Sequence, residues 1–205
     1  TDCRRVWGLY RSGEITKNQI DNIEDRLATT AGTCPVMGTA STMACVAETL
    51  GITLPGTATI PAVHADRIRA AEATGEIAVK LLQNQITPLK LITNKSVENA
   101  LRVVLAIGGS TNAIIHITAI AGRLGIKVSL ETLNKLSDTT PVLVNLKPTG
   151  QHYMEDFFSA GGLGAIDGFS QALVTAYAIY KPANINPGKI AAANNLNGDN
   201  CAITA

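Results

Sequence analysis

The sequence predicts an α/β fold that is strongly helix-rich, and three observations carry the prediction. Apolar residues recur at helical spacing through most of the chain, as in Ile20, Ile23 and Leu27. One short apolar run, Val142-Leu143-Val144, is too brief for a helix and reads as a buried strand. After Lys181-Pro182 the composition turns to Asn, Gly and small apolar residues, which suits the first strands of a β-rich unit.

Taken in order, a helix is expected over 18–28, with Asp and Glu early in it. The stretch from Thr30 to Pro35 breaks that pattern with small residues, and Pro35 disfavours a helical turn before it. A second helix runs from Thr39 to Leu50, with Gly51 placed as its C-terminal cap. Residues 54–62 form a loop set by Pro55, Gly56 and Pro61. Helices follow over 64–83 and 96–107, the first carrying Arg67, Arg69, Glu72 and Glu76 on its wet side. Gly108 and Gly109 end that second helix, and Ser110 or Thr111 can cap the next, over 113–123. A short amphipathic helix over 130–137 precedes the expected strand. Another begins near Tyr153 and stops before Gly161-Gly162, and residues 165–177 read as helical again. The composition shift near 181–188 marks a domain boundary. One domain is therefore expected over 1–183 and the start of a second over 184–205.

Composition excludes several classes. Of 205 residues, 46% are hydrophobic and 16% charged, enough apolar content to bury a core. Seventeen basic residues nearly cancel sixteen acidic ones, and no basic stripe with interleaved aromatics exists, so nucleic acid is not an expected partner. Apolar stretches are broken by Gly, Thr, Asn or His before they reach the roughly 18 residues of a membrane span. The chain opens on Thr1-Asp2-Cys3 and closes on Ile203-Thr204-Ala205, which reads as a piece of a longer protein. Cysteines stand at 3, 34, 45 and 201 without any CxxC pair, and their low density fits a reducing compartment.

Cys34 is the main candidate for chemistry. It lies in Gly32-Thr33-Cys34-Pro35-Val36-Met37-Gly38, a tight turn ahead of a helix, where free N–H groups and the helix dipole favour a thiolate. A metal ligand or nucleophile suits that place, and so does a small buried Cys filling a crowded turn. Cys45, among Ala44 and Val46, reads as a buried structural thiol. Residues 108–112 (GGSTN) are either an anion-cradling turn or, the better reading, a helix–helix turn packed through its glycines. His64, His116 and His152 have no metal-pair spacing, and His116 reads as a core histidine. Glu155 and Asp156 suit a helix start, and Arg123 and Lys181 read as solvent charges.

Four blocks in this order resemble the dihydroxy-acid and phosphogluconate dehydratase family. They are residues 32–43 (GTCPVMGTASTM), 50–62 (LGITLPGTATIPA), 108–116 (GGSTNAIIH) and 137–162, the last holding PVLVNLKPTG and YMEDF. The likeness extends from about residue 25 through NLNGD at 195–199 to the end of the chain. It implies a hydro-lyase that removes water from a 2,3-dihydroxy acid to give a 2-keto acid. It also implies a helix-rich N-terminal dehydratase domain followed by a β-barrel.

The implied cofactors are an iron–sulfur cluster of 2Fe-2S or 4Fe-4S type and Mg2+. The open iron would act as a Lewis acid on the departing C3 hydroxyl while a base takes the C2 proton. Cys34 matches the last of three cluster cysteines. The other two, with a modified lysine and the magnesium carboxylates, would precede Thr1, and a serine base would follow Ala205. One thiolate cannot hold a cluster that needs three, so the chain alone is expected to be inactive. The wording MGTASTM leans toward the sugar-acid branch (arabinonate, xylonate, gluconate) rather than the branched-chain amino acid branch. A homodimer or homotetramer is implied, in the cytoplasm or an organelle matrix. A non-catalytic remnant or an anion- or sugar-acid-binding module of the same fold is the alternative.

Overall fold

The computed structural model describes residues 2–25 and 31–167, and the chain divides into two compact units, 1–32 and from Thr33 onward. In the first, α1 (Asp2–Arg11) packs on α2 (Lys17–Glu24). Gly13, at φ +79°, turns the chain between them. Thr16 starts α2 through a reciprocal capping box with Gln19, and Lys17 pairs with Asp21 one turn on, at 2.6 Å. Trp7 and Tyr10 meet edge to face at 5.7 Å between ring centres. α1 was not anticipated from periodicity, and α2 keeps the expected start within one residue.

The second unit contains α3 (Thr39–Thr49), α4 (Ala65–Gln83), α5 (Pro88–Leu91), α6 (Asn94–Ala106), α7 (Asn112–Arg123), α8 (Leu130–Thr139), α9 (Met154–Ser159) and α10 (Gly162–Asp167). Their starts follow the capping chemistry of the sequence: Thr93 caps α6 with Ser96, Ser129 caps α8, and Pro88 opens α5. Gly51, at φ +80°, ends α3 as anticipated.

α6 is the central element and packs against α3, α7 and α8. It carries apolar residues on two sides. Val103, Ala106 and Ile107 join Cys45, Met37, Val144, Leu146, Phe157 and Leu163 in one cluster. Val97, Ala100, Leu101 and Val104 join Val46, Leu50, Ala113, Ile117 and Leu136 in the other. Burial of each fully enclosed aliphatic side chain, such as Leu101 or Ile117, contributes about 1.5–3 kcal/mol.

Three expectations need correction. Among the described residues there is no β-strand, so this part of the fold is helical rather than α/β. Residues 142–144 make no ladder because the backbone beside them is the end of a helix. The N–H of Leu143 donates to the carbonyl of Ala106 at 2.7 Å, and only an isolated bridge joins Leu146 to His152. Burial of this segment was correctly anticipated at Val144, 8% exposed, while Val142 stays outside at 60%. Second, Arg67 is not on the wet side of α4 but turned in to a loop, as described below. Third, His116 is exposed on α7, because its face of the helix points away from both clusters. The helix expected over 165–177 begins earlier, at Gly162, and residues from 168 on, with the boundary near 181–188 and the start of a β-barrel, lie outside the described residues.

α4 stands apart in burial: none of its residues is buried, and Ile68, Val79 and Leu82 are exposed. Among the described residues no helix is long and apolar enough to cross a membrane.

Candidate functional site

The turn that carries Cys34 is held mainly by backbone hydrogen bonds, with Ser41 Oγ also donating to the carbonyl of Val36 at 3.4 Å. The carbonyl of Pro35 accepts the N–H of Met154 at 2.8 Å, and the N–H of Met37 donates to the carbonyl of Lys147 at 2.8 Å. Met37 is the anchor, buried in the cluster with Phe157 and Leu163. Gly38 then caps α3 in extended conformation. Cys34 itself is exposed, which removes the reading of a small buried Cys filling a crowded turn. The N–H groups of Met37 and Gly38 are taken by the carbonyls of Lys147 and Val36, so those two donors do not serve the thiol. Cys45, within α3, is fully buried, as anticipated.

Residues 108–112 sit between α6 and α7 against the start of α3. Gly108 adopts φ +58°. The N–H of Gly108 goes to Leu105, that of Gly109 to Val104, that of Ser110 to Thr42 Oγ1, and that of Asn112 to Ser110 Oγ. Thr39 Oγ1 lies 2.9 Å from Ser110 Oγ and accepts from Asn112 Nδ2 at 3.2 Å. Donors satisfied from within the fold are not aimed at an anion, and the close approach of Gly109 to Thr42 accounts for the glycine. The tightly packed helix–helix turn is what the geometry fits.

A third feature was missed by sequence reasoning. Glu48 of α3 is buried, 3% exposed, and its two carboxylate oxygens accept the N–H groups of Gly56 at 2.7 Å and Ala58 at 2.8 Å. Burial raises its pKa, and the backbone donors at Gly56, Ala58 and Thr57 oppose that rise without cancelling it. Arg67 donates to the carbonyls of Thr57 and Ile60 from the first turn of α4. One carboxylate and one guanidinium thus take the N–H and C=O groups of a single loop, residues 56–60. A glutamate in the otherwise small and apolar run Ala44–Leu50 was the available signal.

The other candidates disperse. His64 caps α4 through Nδ1 and meets Phe158 edge to face at 5.0 Å. His152 faces Asp156 at 3.8 Å on the surface, and Asp156 caps α9 by accepting the N–H of Tyr153. Arg123 is exposed. Among the described residues no group of three or more His, Cys, Asp or Glu could hold a metal ion. Cys34 fits the part of a single thiolate ligand, and these residues do not by themselves make a complete cluster or magnesium site.

Comparison with known proteins extends the match beyond the four blocks. A family model described as the N-terminal domain of dihydroxy-acid/6-phosphogluconate dehydratase matches residues 1–174. It therefore begins earlier than the resemblance read from motifs, and it stops short of the tail. A dihydroxy-acid dehydratase of Methanococcoides burtonii is 46% identical over 159 residues, which is 78% of this chain and 29% of that protein. The dihydroxy-acid dehydratase of Ruminiclostridium cellulolyticum is 43% identical over the same shares. That of Thermodesulfovibrio yellowstonii is 43% identical over 166 residues, 81% of this chain and 30% of its own length. The chain thus spans about three-tenths of the length of these relatives. Because the family match runs through every helix from α1 to α10, including the turn that presents Cys34, the chain belongs to the dihydroxy-acid/6-phosphogluconate dehydratase family.

Proposed function

We propose that this chain is part of an iron–sulfur hydro-lyase that converts a 2,3-dihydroxy acid to a 2-keto acid with loss of water, and that Cys34 is one ligand of the cluster. Family membership supports the reaction class. The observation that carries the role of Cys34 is its exposed thiol on a turn tied down at Pro35 and Met37. A ligand must be both accessible and held, since a metal site tolerates little drift in its donors.

When bound, a cluster with an open iron supplies a Lewis acid for a departing hydroxide. The chain's own contribution is positional: buried Met37 and the two backbone bonds fix where the thiolate stands. With one such ligand among the described residues, the chain on its own is expected to be inactive. The substrate reading is a 2,3-dihydroxy acid. The names of the relatives support that class, and the MGTASTM wording favours a sugar acid within it. A homodimeric or homotetrameric assembly, a magnesium ion and a cytoplasmic or organelle-matrix location come with the reading from the family resemblance alone.

The test is a Cys34→Ser variant of the complete protein, compared with the cluster-loaded wild type. The expected result is loss of the visible cluster absorbance together with dehydration of a 2,3-dihydroxy acid. A variant that keeps both would sink the assignment.

A further inference from the structure

Residues 56–60 belong to no helix, so side chains from elsewhere set their place. Glu48 takes two of the loop's N–H groups, at Gly56 and Ala58, and Arg67 takes two of its carbonyls, at Thr57 and Ile60. The carboxylate suits this task because it offers an acceptor oxygen to each N–H, where an amide of the same size offers one.

Two routes lead from the loop to the turn of Cys34. The first is packing. Ala58, held by Glu48, lies against the apolar cluster of Met37, Met154, Phe157 and Leu163. Met37 is the anchor of the Cys34 turn in that cluster. The second route runs through α10 and α9. Thr59 is buried against Gly162, where an added Cβ would collide with the threonine side chain. Gly162 starts α10, and α9 just before it contains Met154, whose N–H donates to the carbonyl of Pro35 at 2.8 Å. Both routes end on residues beside Cys34, on Pro35 by a hydrogen bond and on Met37 by packing. A closely packed interior has little compressibility and passes a displacement on.

We propose that Glu48, braced by Arg67, is a positioning residue for Cys34 and sets, through loop 56–60, where the thiol stands. The role of that thiol as a cluster ligand rests on the dehydratase reading. The link from Glu48 to Cys34 rests on the contacts of the loop.

The experiment compares the complete, cluster-loaded protein with its Glu48→Gln, Arg67→Met and Ile117→Val variants, the last altering the other apolar cluster. Visible circular dichroism per iron and the rate of cluster removal by a chelator are measured below each melting temperature. Glu48→Gln is expected to change the dichroism and to lose its cluster about tenfold faster, the lower end of the range for removing a group that orients a metal ligand. Arg67→Met should move both in the same direction by less. Ile117→Val should lower the melting temperature and leave both at wild-type values. A Glu48→Gln protein that melts lower yet keeps wild-type dichroism and release overturns the proposal. If that variant does not fold, the same wild-type values in Arg67→Met overturn it. Iodoacetamide alkylation of Cys34 in the same complete proteins without cluster separates this link from the dehydratase reading. A complete wild type that never takes up a cluster counts against that reading alone. An altered Cys34 alkylation rate in Glu48→Gln then upholds the positioning, and an unchanged rate overturns it.

Discussion

Thr42 of α3 and Gly109 of the turn between α6 and α7 are in contact. A Cβ built on Gly109 would lie 2.7 Å from the methyl of Thr42, while the hydroxyl of the same threonine accepts the N–H of Ser110 at 3.0 Å. The pair locks the start of α3 to the turn between α6 and α7, and so to the core helix on which both apolar clusters are built.

Gly109→Ala should therefore destabilise the protein by about 1–3 kcal/mol, the usual cost of overpacking. Thr42→Ser removes the offending methyl and keeps the hydroxyl, so the double variant should recover part of that loss. The Val104 carbonyl, 3.1 Å from the same Cβ, prevents full recovery. Denaturant midpoints of the three variants check this. Equal midpoints for wild type and Gly109→Ala would refute the contact.

Glu48 makes stability depend on pH with a definite sign. Its folded pKa is raised above the ordinary glutamate value of 4.5, because burial disfavours the carboxylate more than its backbone donors favour it. Folding therefore retains a proton that the unfolded chain releases. The stability from this group is fully present below about 4.5 and is lost as pH rises through the folded value. Glu48→Gln has no proton to lose, so the stability difference between wild type and variant should shrink as pH increases from 4.5. The variant also leaves Gly56 or Ala58 facing an amide NH2, and their amide hydrogens should exchange faster. A parallel pH dependence in the two proteins, or unchanged exchange at both amides, would contradict this account.

The cysteines of α3 and its leading turn should separate by reactivity. In protein stripped of any cluster, Cys34 is exposed and Cys45 is enclosed by Val103, Ile107 and Phe157. Iodoacetamide followed by peptide mapping should label Cys34 under native conditions and Cys45 only with denaturant. Equal labelling of the two without denaturant would mean that the core around Cys45 is open.

Much of this is legible in the sequence. Helix ends at Thr39, His64, Gly51 and Tyr153 follow from caps, glycines and prolines, which act within a few residues. Cys34 stood out for the same local reason, a cysteine on a glycine-rich turn ahead of a helix. Residues 142–144 form no strand because a short apolar run does not reveal the partner that takes its hydrogen bonds, and here the partner is the end of α6. Arg67 was placed in solvent because its charge says nothing about two carbonyls on a loop seven and ten residues away.

By itself, then, the sequence determined the family, most of the helices and Cys34 as the candidate ligand, since motifs, capping and periodicity are local properties of the chain, while the exposure of Cys34 came from the structure. Only the tertiary structure decided that Glu48 and Arg67 hold one loop, that the glycine turn packs instead of cradling an anion, and that Lys147 and Met154 hold the Cys34 turn. Those are relationships between residues far apart in sequence or hidden in backbone hydrogen bonds. Packing, not composition, determines which groups meet.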